Sequence, residues 1–281
     1  MRIVRFVDDQ GVTSYGIEAN NAVNYAEGCP YAGPLKDTGK VAKVSQLLSP
    51  IDCTTMFCIG LNYRKHADEL GLPYPKNPIV FTKVRGCVTG PGADVVKPRI
   101  VNKMDWEVEL AVVIGKDCKD VAEADALKYV LGYTVANDLS TRDWQKQPEL
   151  AGGQWTYSKN FDGFAPLGPA LVTADEISDP NNLGLKTWIN GELMQDSVTS
   201  DLIFNVQQCI SFLSIGNTLP AGTVILTGTP FGVGEGLKPP RFLAPGDDMV
   251  CEVEGIGRLQ NKVVADPSDV KCYHNPSAAK L

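Results

Sequence analysis

The residues that could do chemistry fall in four short segments. In Trp106-Glu107-Val108-Glu109-Leu110-Ala111-Val112-Val113-Ile114, the alternation of an extended chain sends Glu107, Glu109, Ala111 and Val113 to one face. Val108, Leu110, Val112 and Ile114 take the other. Two carboxylates then stand side by side on an otherwise apolar strand. Like charges repel, burial worsens the repulsion, and a cation relieves both. The same pattern also fits an edge strand with both acids in water. Asp138 closes the apolar run GYTVAND (132–138) and is either a third carboxylate beside the pair or the cap of a helix over 139–145. Three carboxylates with no His or Cys close in sequence are hard oxygen donors. They suit Mg²⁺, Mn²⁺ or Ca²⁺ and not Zn²⁺ or Cu²⁺.

The chain has only two histidines. His274 sits in a polar tail and is expected in solvent. His66 lies in GLNYRKHADELGLP (60–73), where Asn62 can cap a short helix, Gly71 can end it and Pro73 prevents its continuation. His66 and Glu69 are then i, i+3 on one helix face. A carboxylate beside an imidazole orients the ring and raises its basicity, as a general base needs. A surface His/Glu pair is the other reading. Lys159, in YSKNFDGFAP (157–166), is an ammonium amid aromatics and glycines, able to hold a substrate carboxylate or simply solvated.

Other chemistries lack their signatures. There is no phosphate-cradling G-x-x-x-x-G-K-[ST], no G-x-S-x-G elbow and no H-E-x-x-H, and the glycines of 232–236 do not match G-x-G-x-x-G. The eight cysteines form no C-x-x-C.

The elements that must position these residues are mostly strands. Runs with strand character cover 110–114, 133–136, 170–173, 185–189, 223–226 and 249–253, separated by Gly, Pro, Asp and Asn. One clear helix is expected over 202–213, from the spacing of Leu202, Ile203, Val206, Cys209, Ile210 and Leu213, with Ser200 and Asp201 at its start. Residues 1–20 pattern as a hairpin, 21–40 as loop and 41–48 as a short helix. The expectation is a strand-rich α+β fold, with a small N-terminal unit (1–52) before the main region (53–281).

Length and charge bound the rest. With 281 residues, 43% of them hydrophobic, the chain has material for a sizeable core. Its 26 Lys and Arg against 33 Asp and Glu argue against a nucleic-acid partner, which needs a basic surface. No segment approaches the roughly 20 apolar residues of a membrane span. The first residues, MRIVRFVDDQ, lack secretory-signal anatomy. A cytoplasmic location with reduced thiols is therefore expected, an organellar one remaining open.

Six strings, GLNYRKHADE, DWEVELAVVIGK, GYTVANDLSTRDWQ, SKNFDGFAPLGP, TWINGELMQDSVTSDLIF and LTGTPFGVGEG, stand in the order found in the fumarylacetoacetate hydrolase superfamily. Over about 53–264 the chain resembles that family closely. The resemblance implies a mixed β-sandwich roll behind a small N-terminal domain, usually as a homodimer. It implies Glu107, Glu109 and Asp138 as ligands of Mg²⁺ or Mn²⁺. His66 and Glu69 match a catalytic dyad on a mobile lid helix, Lys159 and Gln145 match substrate-orienting positions, and Arg142 and Thr229 match the pocket. The chain departs from the family at Lys65, where Asp is frequent. It departs again at Val84, Arg85 and Gly86, where Pro and small hydroxyl residues are frequent. Arg85 becomes a candidate for selecting an extra acid group.

A 2-oxo acid offers two adjacent oxygens to a cation held by three carboxylates. The leading expectation is cleavage of a C–C bond in a small 2-oxo or β-dicarbonyl acid, by acylpyruvate hydrolysis or oxaloacetate-type decarboxylation. The alternative is a tautomerase or isomerase, on oxaloacetate or a 2-hydroxy-dienedioate. A silent small-molecule binding protein is the alternative of another class, and the intact triad and dyad argue against it.

Overall fold

A run such as VELAVVI, apolar at nearly every position, suits a strand covered on both faces, and every residue of Val108–Ile114 is buried. In the computed structural model, residues 1–19, 22–150 and 153–268 are described; His274 and Cys272 lie outside them. The first elements in chain order are β1 (Arg2–Asp8), β2 (Thr13–Ala19), β3 (Ala22–Glu27), β4 (Lys36–Val41), β5 (Val44–Leu48), β6 (Met56–Gly60), α1 (Arg64–Leu70), β7 (Ile79–Lys83), β8 (Val88–Thr89) and β9 (Asp94–Lys97). Next come β10 (Met104–Asp105), β11 (Val108–Ile114), β12 (Val130–Asn137), β13 (Ser140–Thr141), α2 (Arg142–Lys146), α3 (Trp155–Ser158) and β14 (Ala165–Thr173). The last are β15 (Gly184–Ile189), β16 (Glu192–Val198), α4 (Val206–Ser214), β17 (Val224–Leu226), β18 (Asp248–Val253) and β19 (Gly257–Ala265).

The large sheet runs β4-β3-β2-β1-β14-β12-β11-β17-β6-β7, with β5 also on β1 and β8 on β14. A second sheet runs β16-β15-β18-β19-β9. Val108, Leu110, Val112 and Ile114 pack with Leu185, Cys251 and Val253 of the second sheet and with Ile210 and Leu213 of α4. Ala111 and Val113 belong to another cluster with Met56, Cys58 and Phe81. This is the expected strand-rich fold, and the six expected strand runs lie in β11, β12, β14, β15, β17 and β18, with only Thr223 outside. No helix among the described residues is long and apolar enough to cross a membrane.

The N-terminal hairpin forms as expected, with Ile3 opposite Ile17. Asp8 Oδ1 accepts from the Gln10 and Val12 amides at its turn, 2.9 Å each. The next stretch differs from the expectation. Residues 21–40 hold β3 and β4 instead of a loop, and 41–48 hold β5 instead of a helix. β5 lies on β1, with Phe6 opposite Leu47. Pairing with a strand already in place outweighs the weak helix preference of VAKVSQLL. β1 also pairs with β14, Ile3 opposite Leu171, so these strands extend the sheet formed later in the chain.

The clear helix starts later than expected. Asn205 caps α4 in a reciprocal capping box with Gln208. Leu202 and Ile203 precede it: Leu202 bridges Tyr63, and the Ile203 amide donates to the Asn62 carbonyl at 2.8 Å. Their apolar spacing extended the helical pattern, but both serve the contact with the segment leading into α1.

Candidate active site

The register of two neighbouring strands brings the acids together. β11 and β12 are antiparallel with Val108 opposite Asn137 and Glu109 opposite Ala136. One step further out, the Asp138 amide donates to the Glu107 carbonyl at 2.8 Å. Alternation then puts Glu107, Glu109 and Asp138 on one face. One carboxylate oxygen of each lies within 4.8 Å of the other two, and all three residues are buried. The solvated edge strand and the helix-capping Asp138 are therefore not what forms.

Cations hold most of this buried charge. Lys83 Nζ donates to Asp138 Oδ1 at 2.7 Å. Lys159 Nζ donates to Asp138 Oδ2 at 2.6 Å, to Glu107 Oε2 at 2.9 Å and to Ser140 Oγ at 2.7 Å. Arg142 Nη2 lies 2.6 Å from Glu107 Oε1, and its Nε donates to Asp105 Oδ2 at 2.8 Å. Burial alone would raise the Glu107 carboxyl, but Lys159 and Arg142 outweigh it and hold it below the usual range. Burial likewise opposes the charge on Lys159, and Asp138 and Glu107 overcome it. Three cations thus face Glu107, Asp138 and Asp105. Glu109 is the acid left over: among the described residues no cation pairs with it. Burial pushes its carboxyl well up, and Asp138 and Glu107 push further.

Glu109 is held instead by a backbone amide. The chain leaving β17 passes it, and the Gly228 N–H donates to Glu109 Oε2 at 2.6 Å. Gly228 has φ +101, and a Cβ there would come 2.7 Å from Asn62 Cβ, so only glycine fits this turn. Thr229 follows, and Gln195 of β16 donates to its Oγ1 at 2.9 Å and to the Pro230 carbonyl at 2.9 Å.

The exits of β12, β17 and β6 and the entry of β11 lie at one end of the sheet, because β17 runs antiparallel to β11 and parallel to β6. β6 therefore delivers α1 over the carboxylates. Asn62 does not cap α1; Tyr63 is its cap residue. The Asn62 amide is buried and donates to the Thr227 and Phe204 carbonyls at 2.7 and 3.0 Å, fixing the approach to the helix. Gly71 ends α1 in the left-handed conformation, φ 65, as expected. His66 Nδ1 lies 3.0 Å from Glu69 Oε2, and Glu69 Oε1 accepts from the Gly232 N–H at 3.0 Å. A carboxylate accepts only, so Nδ1 carries a proton, and in the neutral imidazole Nε2 is then the bare nitrogen. The surface-pair reading fails because the His66 side chain is only 8% exposed. Lys65 lies on the exposed side of α1, near the Phe231 ring, and adds nothing to the cavity.

A cavity of about 160 Å³ joins these parts. Its walls include His66, the three acids, Lys159, Arg142, Gln145 and Thr229. Gln145 Oε1 accepts from Arg142 Nη1 at 3.0 Å. Arg85 is the exception. It lies in a separate crevice with Arg5 and Asp52, its side chain 69% exposed and its Nη2 2.7 Å from Asp52 Oδ1. It begins a short turn, Arg85–Cys87, and does not line the cavity that holds the triad. Lys83 and Asp105 were not singled out as site residues. A lysine in the otherwise extended IVFTK strand, and an acid just before Trp106, were the available signals. The Asp105 carboxylate also accepts from the Gly234 and Glu235 amides at 2.6 and 3.1 Å.

Three buried carboxylates that could hold a metal ion thus share one cavity with an imidazole fixed by a carboxylate. The family model described as fumarylacetoacetate (FAA) hydrolase C-terminal matches residues 55–264, and the chain belongs to that family. It is 48% identical over 207 residues to "oxaloacetate tautomerase FAHD2A, mitochondrial" of Homo sapiens, which is 74% of this chain and 65% of that protein. It is 47% identical over 227 residues to a "fumarylacetoacetate hydrolase domain-containing protein 2 homolog" of Dictyostelium discoideum, 78% of this chain and 74% of that one. Among solved structures, 2-hydroxyhepta-2,4-diene-1,7-dioate isomerase from Mycobacterium marinum superposes with TM-score 0.82 at 35% identity, over 95% of this chain and 100% of that one. A fumarylacetoacetate hydrolase from Exiguobacterium antarcticum gives TM-score 0.84 at 33% identity, with the same coverage of both chains.

Proposed function

We propose that this chain is an oxaloacetate tautomerase that works with a bound divalent cation, Mg²⁺ or Mn²⁺. The observation that carries the reading is a carboxylate-fixed imidazole facing the acidic triad across one 160 Å³ cavity, in a chain 48% identical to a protein named for that activity. Glu107, Glu109 and Asp138 fit such a cation by donor type, by burial and by the uncompensated charge that Glu109 adds once ionised. When bound, the cation supplies Lewis acidity to the 2-oxo group and its carboxylate.

The chain's own residues do the rest. Lys159 and Arg142 place positive charge where substrate carboxylates enter. Gln145 and Thr229 orient the substrate from the walls. His66 Nε2 takes the enol hydroxyl proton and delivers it to C3, or in the reverse direction takes the C3 proton and returns it to the 2-oxygen, so one proton is carried between carbon and oxygen and no water is consumed. Glu69 holds Nδ1–H and balances the imidazolium that forms. α1 acts as the lid that excludes water. The leading expectation from sequence, C–C cleavage, yields here to the proton transfer named for the relatives; hydrolytic cleavage would need the same base to activate water, and decarboxylation would release CO₂ with no water attack.

The reading extends to residues 53–281 as the catalytic region behind a small unit of 1–52, and to a homodimer, which light scattering on the purified chain tests. The oxaloacetate tautomerases of Bos taurus and Homo sapiens carry "mitochondrial" in their names, and for this chain fractionation of the tagged protein tests the compartment. The activity itself is tested by adding enol oxaloacetate and following loss of its absorbance beside a coupled assay for pyruvate. Fast conversion without pyruvate supports the tautomerase. Stoichiometric pyruvate from oxaloacetate or an acylpyruvate would return the assignment to cleavage.

A further inference from the structure

Trp155 stands between two spaces. On one side it lines the cavity that holds the triad. On the other it lines an open groove of about 850 Å³ whose walls include Val80, Thr82, Tyr157 and Asn160. The indole is wedged in place. A Cβ on Gly60 would come 2.6 Å from its Cζ3 atom, so the ring lies directly against the backbone at the exit of β6. It meets Phe81 edge-on, with centroids 5.5 Å apart at 68°. Phe81 in turn carries Lys159 Nζ 4.7 Å from its ring centroid. Three residues separate Trp155 from the carboxylate-bound ammonium in sequence, and one aromatic ring separates them in space.

Beside its acids and cations, the inner cavity is lined by apolar side chains, Ile59, Leu70, Leu72 and Ile79 together with Trp155. Its 160 Å³ corresponds to about five waters at roughly 30 Å³ each. That is below the roughly 300–1,000 Å³ of sites for drug-sized ligands. A small 2-oxo acid fills it, and a longer substituent runs into the indole.

We propose that Trp155 is a specificity-determining residue: its indole is the wall that limits the site to 2-oxo acids with a short substituent. Removing it joins the cavity to the outer groove and admits longer chains. The proposal rests on the oxo-acid reading of the cavity, and the test separates the two. N-alkyl oxamates keep the two adjacent oxygens of a 2-oxo acid but do not react, and their alkyl chain can be lengthened stepwise. Oxamate, N-ethyl, N-butyl and N-hexyl oxamate are titrated calorimetrically into the Mg²⁺-loaded full chain, as wild type, Trp155→Phe and Trp155→Ala.

Wild-type affinity should fall as the chain lengthens. In Trp155→Ala the order should invert, with N-butyl oxamate binding at least about 10-fold tighter than oxamate, since one methylene in an apolar pocket is worth roughly 10–200-fold. Trp155→Phe should lie between, and it keeps an aromatic ring against Phe81 should the alanine variant not fold. Oxamate affinity should change little in any variant. Parallel length profiles in wild type and variants overturn the role given to Trp155, with the oxo-acid site intact. Failure of oxamate itself to bind the loaded wild type overturns the oxo-acid reading, and this proposal with it.

Discussion

Glu69→Gln changes one oxygen into an NH₂ group and leaves the shape of the side chain, yet it should nearly abolish turnover. Glu69 accepts two hydrogen bonds, from His66 Nδ1 and from the Gly232 N–H, each 3.0 Å. A glutamine has one accepting oxygen. If the oxygen turned to His66, the NH₂ would confront the Gly232 N–H, and a donor left unpaired in a buried place costs about 1–3 kcal/mol. The less costly arrangement gives the oxygen to Gly232 and points the NH₂ at Nδ1. Nδ1 must then accept, and the imidazole proton moves to Nε2, the nitrogen that serves as base. General base catalysis is worth about 10²–10⁴-fold, or roughly 2.7–5.4 kcal/mol of barrier at 1.36 kcal/mol per decade. The same carboxylate-to-amide change costs about 10⁴-fold in hydrolases with a histidine triad. The assay is stopped-flow decay of enol oxaloacetate, with oxalate affinity measured by calorimetry. kcat should fall by that factor while oxalate affinity holds. Glu69→Gln combined with His66→Ala should lose little more than either alone, because the two act as one unit. A kcat within about threefold of wild type, or losses that multiply, would refute the tautomer reasoning.

Other outcomes follow from the charge balance around Glu109. Glu109→Gln keeps an acceptor for the Gly228 N–H and removes the acid that no cation pairs with. Metal-free stability should hold within about 1 kcal/mol by denaturant melts, while Mg²⁺ affinity falls about 100-fold or more by calorimetry. Lys159→Met strips the cation from Glu107 Oε2 and Asp138 Oδ2. The metal-free protein should lose about 3–5 kcal/mol and regain part of it with Mg²⁺, as melts with and without the ion will show. Burial raises the Glu109 pKa in the fold, so the fold holds this proton more tightly than the unfolded chain does. Its contribution to stability is then complete below about pH 4.3 and is lost as pH rises through the raised value. Mg²⁺ binds the ionised form and offsets that loss. The Mg²⁺-induced rise in Tm should therefore grow as pH rises above about 4.3; a rise that shrinks with pH would contradict the uncompensated charge on Glu109.

The triad was legible because strand geometry is local. Two-residue alternation puts Glu107 beside Glu109 with no knowledge of the fold, and the exit of the next apolar strand supplies Asp138. The His66/Glu69 pair was legible for the same reason, through helix periodicity and Gly71. What was misjudged depends on partners distant in sequence. β5 forms because β1 is there to receive it. Asn62 has the residue type of a helix cap, but its amide is claimed by the Thr227 and Phe204 carbonyls. Lys83 has only the mark of a lysine closing the extended IVFTK run, which fits a solvated side chain equally well; the sheet order, with β7 beside β6, takes it to Asp138. Arg85 is a candidate in sequence because the chain departs from the family pattern there, but its pairing with Asp52 holds it in another crevice.

Glu107, Glu109 and Asp138 are proposed to hold a divalent cation on the side of the cavity that His66 faces. Anomalous diffraction from crystals grown with Mn²⁺ and oxalate tests this. One strong anomalous peak is expected among the three carboxylates, with oxalate bound on its open side toward His66 and Lys159 turned from Asp138 to the oxalate carboxylate. A peak elsewhere, or none at saturating Mn²⁺ with Lys159 still bridging Glu107 and Asp138, would contradict it.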